Sequence, residues 1–216
     1  MIDKFDIYDI VTSLLQGTLF LGASIVLFPQ TMNVVHPLEI PEVVLSAMFI
    51  SVAYFLGQTI TSISSLLQPF LFWTWGGMPS KIAFSGRFPE KYLSADLIDS
   101  AKKSLQKTSE KALSDAALFS MAMGIARKSE GSLSERHNQM YAYNRATLCN
   151  IILLLGLFIV SCFHGLCRDF GGIRIVVALS CFTLLLVLHW YRAKQRAFYY
   201  VREVIVVAGR ELSGGV

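Results

Sequence analysis

The sequence predicts an all-α membrane protein, with four transmembrane helices and a cytosolic helical insert between spans two and three. Three observations carry this. Of 216 residues, 54% are hydrophobic and only 16% charged, with a mean hydropathy of +0.53, outside the balance of a water-soluble domain. Charged residues are absent from four intervals, 10–38, 43–80, 146–167 and 175–191. Each holds an apolar run able to cross ~30 Å of hydrocarbon at about 1.5 Å per helical residue, the last at the short limit of about 17 residues. The lysines and arginines are also one-sided. Lys4 precedes span one, eleven lie between spans two and three, and five follow span four, leaving Arg168 and Arg174 on the other side. By the positive-inside rule, both termini and the middle segment face the cytoplasm. The chain then divides into a transmembrane hairpin (1–78), a cytosolic helical insert (79–145), a second hairpin (146–191) and a cytosolic helical tail (192–216).

Span one opens with Asp6 and Asp9, whose charges suit a helix N-terminus, and with Phe5 and Tyr8, which suit the membrane interface. It is not a cleavable leader, because Asp3 and Asp6 make its start acidic and no small-x-small site closes the apolar run. The span is expected to end at Pro29, with 30–41 as a short outer connection. Span two starts after Pro41 and Glu42. Its Ser46, Ala53, Gly57, Thr61 and Ser64 recur at seven, four, four and three residues and line one helix face. Small residues at that spacing let backbones approach closely, either within the subunit or across a homo-oligomer interface. Gln58, one step off this seam, cannot face lipid cheaply. Phe70, Phe72, Trp73 and Trp75 follow Pro69 and read as an aromatic belt turning along the inner surface.

In the insert, a helix is expected over Ala95–Lys107, with Leu97, Ile98, Ala101 and Leu105 opposite Asp96, Lys103 and Lys107. A second is expected over 112–128. Its uncharged core at 116–126 is too short to span and too apolar to stand in water, so it reads as buried or interfacial. Ser132 and Glu135 have capping-box spacing, placing the start of one long helix over 132–163 that passes Arg136, His137 and Arg145 before its charge-free run. After an outer loop at 165–172, span four exits at His189, Trp190 and Tyr191. The stripe Val201, Val204, Ile205, Ala208 then continues that helix into the cytosol. His137 reads as solvated and His189 as interfacial.

Cys162, His164 and Cys167 form the one cluster with metal-ligand residue types. A zinc site wants four ligands, and residues five apart on a helix diverge, so a disulfide on the outer side or buried small residues are preferred to a metal. No phosphate-binding loop or nucleophile elbow is present, so neither an enzyme nor a cofactor is expected. No Asp, Glu, Lys or Arg lies mid-span, which disfavours an ion-coupled carrier. The net charge of +4 follows from the positive-inside bias, and direct nucleic-acid binding is not expected.

The opening Phe5, Asp6, Tyr8 and Asp9, with Gly17 seven residues after Ile10, stands beside the four-span layout and the approach Tyr141, Tyr143, Arg145 to span three. Together these resemble small helical membrane proteins encoded beside bacterial anti-phage defence genes, the Kiwa-like or CRISPR- and CBASS-associated membrane components. Those often carry Pro-Gly where this chain has Gln16 and Gly17. The resemblance implies a multi-pass protein of the bacterial inner membrane, as a homo-oligomer, with either of two roles. In one, a sensor or anchor docks and regulates a soluble cytosolic partner through its helices. In the other, an oligomeric channel or membrane-disrupting effector acts alone. The absence of charged pore-lining groups favours the first, while Thr12, Ser13, Gln16 and the polar positions of span two keep the second open. Arg127, Lys128, Arg136 and Arg202 are the candidate partner contacts, as exposed charges near the membrane-proximal bundle. For any one of them, service to the positive-inside bias alone is the favoured reading.

Overall fold

The computed structural model describes residues 5–29, 40–109, 112–129, 131–163 and 172–214, with 5–8 described by backbone alone. Every element there is a helix: α1 (Phe5–Leu27), α2 (Glu42–Leu66), α3 (Gln68–Thr74), α4 (Pro79–Ile82), α5 (Ala95–Lys107), α6 (Asp115–Lys128), α7 (Ser134–Phe163) and α8 (Gly172–Leu212). Four of them, α1, α2, α7 and α8, are long and apolar enough to cross a membrane. The chain is thus an all-α, multi-pass membrane protein. The expected connections at 30–41 and 165–172 lie largely outside the described residues.

Two compact units form, one from Met1–Leu67 with Tyr143–Trp190, the other from Gln68–Ala142 with Tyr191–Val216. The helices α7 and α8 are unbroken at both points of division. The aromatic segment after Gln68 groups with the second unit and is split by burial. Leu71 and Trp75 are buried, with the Trp75 ring 6.2 Å from that of Tyr141, whereas Phe70 and Trp73 stay exposed.

In the first unit α1 and α2 run antiparallel with their backbones touching, Ser13 against Gly57 and Gly17 against Ala53. A Cβ on Gly17 would overlap the Ala53 carbonyl oxygen and stand 2.8 Å from the Gly57 nitrogen, and one on Gly57 would overlap the Ser13 carbonyl oxygen. Between lipid-bathed helices, close packing of this kind replaces the hydrophobic drive. Past this crossing the helices separate. Nothing lies within 4 Å of a Cβ at Gly22, and residues 42–52 of α2 are exposed throughout.

The α7 helix is the most buried of the four apolar helices, and the apolar window of α8 is not buried at all. Phe158 meets Phe182 with ring centroids 5.9 Å apart, and Asn144 Oδ1 stands 3.3 Å from His189 Nδ1, so α7 and α8 are antiparallel neighbours. This unit is inverted relative to a soluble fold. Ser13, Gln16, Ser64, Asn150 and Ser161 are inside, while Phe55, Leu66, Phe163 and Ile173 are at least 70% exposed. A bilayer accounts for both halves of that pattern. Exposed Ser51, Thr59, Ser62 and Thr183 each donate to the carbonyl four residues back, so their hydroxyls can face lipid at low cost.

The second unit is built round the end of α8. Ala193, Ala197, Phe198, Val201, Val204, Ile205 and Ala208 are all buried. Small residues at 193, 197 and 208 let neighbouring helices close in, and Gly209 continues this, since a Cβ there would lie 3.4 Å from Ala101 Cβ on α5. Positive φ at Gly76 and Gly77 turns the chain after α3. Ile98, Ala101 and Leu105 of α5 are buried, but Leu97, expected on the same face, is 56% exposed. One residue before Ile98, it points about 100° away round the helix.

Two helix starts differ from expectation. The α6 helix begins at Asp115, not 112, because Ser114 Oγ accepts from the Ala117 amide and Lys102 Nζ lies 2.8 Å from Asp115 Oδ1. The α7 helix begins at Ser134 rather than Ser132, without the expected capping box. Ser132 Oγ accepts from the Ser134 amide at 3.3 Å, and the capping carboxylate comes from α8, with Leu133 N–H donating to Glu203 Oε1 at 3.2 Å. A carboxylate from a packed neighbour displaces the local Glu135, which is left exposed.

Candidate functional site: a polar cluster inside the apolar bundle

Three of the four apolar helices contribute to one buried polar cluster in the first unit. From α1, the seam face that carries Gly17 also carries Gln16, fully buried. From α7, Asn150 Nδ2 donates to the Gln16 backbone carbonyl at 2.9 Å and to its side-chain Oε1 at 2.8 Å. Gln16 Nε2 in turn donates to Thr147 Oγ1 at 2.7 Å, and Thr147 Oγ1 donates to the Tyr143 carbonyl at 3.0 Å. From α2, Gln58 Nε2 donates to Ser13 Oγ at 3.0 Å and stands 3.2 Å from Tyr54 Oη. Where hydrocarbon offers no water, these amides hold the helices in one register. One acceptor, Asn150 Oδ1, is buried with no hydrogen-bond partner among the described residues.

A second polar contact lies at residue 145. Arg145 is 8% exposed, and its guanidinium donates from Nε to Ser64 Oγ at 3.2 Å and from the terminal Nη2 to Ser65 Oγ at 3.3 Å. Ser64 Oγ donates to the Thr61 carbonyl at 2.6 Å, which leaves its lone pairs for the arginine. Ser64 is therefore a hydrogen-bonding position as well as a small one. Of the five seam residues named from spacing, Ala53, Gly57 and Ser64 are buried, Thr61 is half-buried and Ser46 is exposed. Ser46 lies in the stretch of α2 beyond the glycine crossing.

The candidate partner contacts lie in the second unit and all four are exposed. Arg136, at the start of α7, and Arg202, on α8, both act electrostatically on His137 together with Arg196. Arg127 acts on Tyr200, and Lys128 ends α6. The structure thus gathers two of the four around one histidine. His137 itself is half-buried rather than solvated, its ring stacked 5.8 Å from Tyr199 and its Nδ1 3.4 Å from Arg196 Nη1. Nearby, burial pushes the Tyr92 phenol up against the opposing effect of the Lys91 ammonium.

Among the described residues no group of three His, Cys, Asp or Glu could hold a metal ion. Cys162 is in a disulfide, while Cys149 and Cys181 are free thiols. His164 and Cys167 lie outside the described residues. Sequence reasoning singled out Gln16 and Gln58 but missed Asn150, Thr147 and Ser65. An asparagine at the fifth position of the charge-free run 146–167 was the available signal, since an amide inside a span must find a partner. Searches of family models, curated proteins and solved structures return no match for this chain.

Proposed function

We propose that this protein is an inner-membrane sensor or anchor whose second unit is a cytosolic platform that docks and regulates a soluble partner. The observation that carries this reading is the continuity of α7 and α8, each one helix across the point where the two units divide. A rearrangement of the apolar helices must then be felt in the helices of the platform. The platform has its own aromatic and aliphatic core and exposes Arg127, Lys128, Arg136 and Arg202. It also has a groove of about 280 Å³ lined by Leu97, Ala101, Ile205, Val206 and Gly209 with Arg210 beside them. A helical body of this size has little use in a self-contained channel. The resemblance to defence-associated membrane components supplies the biological setting, an anti-phage system, and homo-oligomerisation through the free face of α2 fits the same setting.

The oligomeric-channel reading draws on the buried amides of Gln16 and Asn150. Their mutual hydrogen bonds, and the back-bonded hydroxyls of α2, leave few polar groups to line a path. The test is recovery of partners from native membranes by the intact protein and by a variant charge-reversed at Arg127, Lys128 and Arg136. A soluble protein retained by the first and lost by the second is the expected result. No retained partner, together with ion conductance by the purified protein in a planar bilayer, would replace the platform with the channel.

A further inference from the structure

We infer that the groove between α5 and the end of α8 docks an acidic amphipathic helix of a soluble partner, its apolar stripe on Leu97 and Val206 and its carboxylates on Arg202 and Arg210. The inference deepens the platform reading and rests on it.

The groove lies wholly within the second unit. Its floor includes Ala101 and Gly209, small residues that let α5 and α8 close until a Cβ on Gly209 would stand 3.4 Å from that of Ala101. Its lips are Leu97 and Val206, which keep 56% and 40% exposure. In the first unit a bilayer covers such side chains, but here it does not reach. Val206 lies fifteen residues past Tyr191, where the charge-free interval ends, on a helix unbroken between them. That is roughly 22 Å along α8, well beyond the headgroup layer. A volume of about 280 Å³ falls below that of most small-molecule sites and suits the side chains of a docked helix.

Charge selects the partner. At about 100° per residue, Arg202, Val206, Arg210 and Ser213 fall on one exposed stripe of α8. It runs for roughly 16 Å, about three turns, enough for anchors at i, i+4 and i+7. The acids of α8 are occupied elsewhere: Glu203 Oε1 accepts from the Leu133 amide at 3.2 Å and Glu211 Oε1 from Ser129 Oγ at 2.7 Å. Glu211 also stands 3.7 Å from Arg210 Nη2, but an exposed pair of this kind holds weakly. On the α5 side, the exposed face through Ser100 carries Asp96 against Lys103 and Lys107, and Asp99 points about 100° away from Ser100. Among the described residues the lining itself holds one charge, Arg210, and no acid. A second copy is the poorer occupant, since a symmetric pair through this face would set Arg202 and Arg210 against the same residues of the copy.

The test uses the full-length protein in nanodiscs of phosphatidylcholine, so that neither detergent nor anionic lipid competes for the groove. The probe is a displayed library of three-turn helical peptides with anchor and flanking positions randomised. Retained peptides should carry Leu, Ile or Phe at helical spacing and a net negative charge. As free labelled peptides they should bind the double variant Leu97→Ser, Val206→Ser at least roughly tenfold more weakly by fluorescence anisotropy. Arg202→Glu, Arg210→Glu should weaken them by roughly as much, and the same peptides with Lys in place of their acids should prefer that variant to the native chain. All four positions are exposed, and the charge swap gains binding, a result that a misfolded variant does not give. Neutral or basic peptides retained, no peptide retained, or binding indifferent to both variants would overturn the groove. Loss of a native dimer in Leu97→Ser, Val206→Ser would make the occupant a second copy instead. Recovery of a soluble partner from native membranes is scored separately. A partner lost when Arg127, Lys128 and Arg136 are reversed but kept by both groove variants removes the groove and leaves the platform. No partner in any arm removes the platform reading, whatever the peptides do.

Discussion

Asn150 on α7 grips Gln16 on α1 twice, at the backbone carbonyl and at the side-chain carbonyl, 2.9 and 2.8 Å away. One asparagine thereby fixes both the position of a neighbouring helix and the orientation of its buried glutamine. Replacing Asn150 by Leu strands two acceptors of Gln16 and should cost about 1–3 kcal/mol. The double variant Gln16→Leu, Asn150→Leu removes both sides of the mismatch and should recover more than half of that loss. Unfolding in mixed micelles measures the native chain, Gln16→Leu, Asn150→Leu and the double variant. Losses that simply add would show that the two side chains do not depend on each other.

The glycine crossing makes a sharper demand. Because a Cβ at Gly57 or Gly17 would meet backbone rather than a movable side chain, Gly57→Leu should cost about 3 kcal/mol or more, the upper end for overpacking. Gly22→Ala and Gly156→Ala, where nothing lies within 4 Å, should be nearly neutral by the same measurement. A neutral Gly57→Leu would mean that α1 and α2 do not cross here.

Orientation can be read from thiol chemistry. A disulfide at Cys162 is at home on an oxidising face, the side to which the lysine and arginine count assigns the end of span three. Maleimide should fail to label Cys162 until reductant is added, while exposed Cys181 in detergent should react without it. Reporter fusions should place Asn33 and Phe170 outside and Asp99 and Val216 inside. A Cys162 that labels freely, or any other reporter pattern, sinks the topology.

Phe198 joins the rings of Phe88 and Tyr92, at 5.5 and 4.8 Å, in the core of the second unit. Phe198→Ala should destabilise that unit by about 3–5 kcal/mol and open it to limited proteolysis. Val206→Ala, half-exposed on the same helix, should stay within about 0.5 kcal/mol of the native chain. Equal protease resistance in the two variants would count against a core centred on Phe198.

Periodicity made much of this fold legible. The four apolar helices, the bounds of α5 and the buried stripe Val201, Val204, Ile205, Ala208 are local patterns, and local patterns survive in a single sequence. Legibility failed where a distant residue competes with a near one. Glu203 caps α7 in place of Glu135, and His137, isolated in sequence, stacks on Tyr199. The half of the seam that includes Gly57 is in contact, whereas Ser46 has the right spacing but is exposed.

By itself the sequence determined that the chain is helical and multi-pass, because helix formation and partition into hydrocarbon depend on composition and length over some twenty residues. Only the tertiary structure decided which polar residues are paired. Asn150 with Gln16 and Arg145 with Ser64 are separated by 134 and 81 residues respectively. Hydrogen-bond and Coulomb energies depend on positions in space to within an ångström or two, and no spacing along the chain encodes them across such distances.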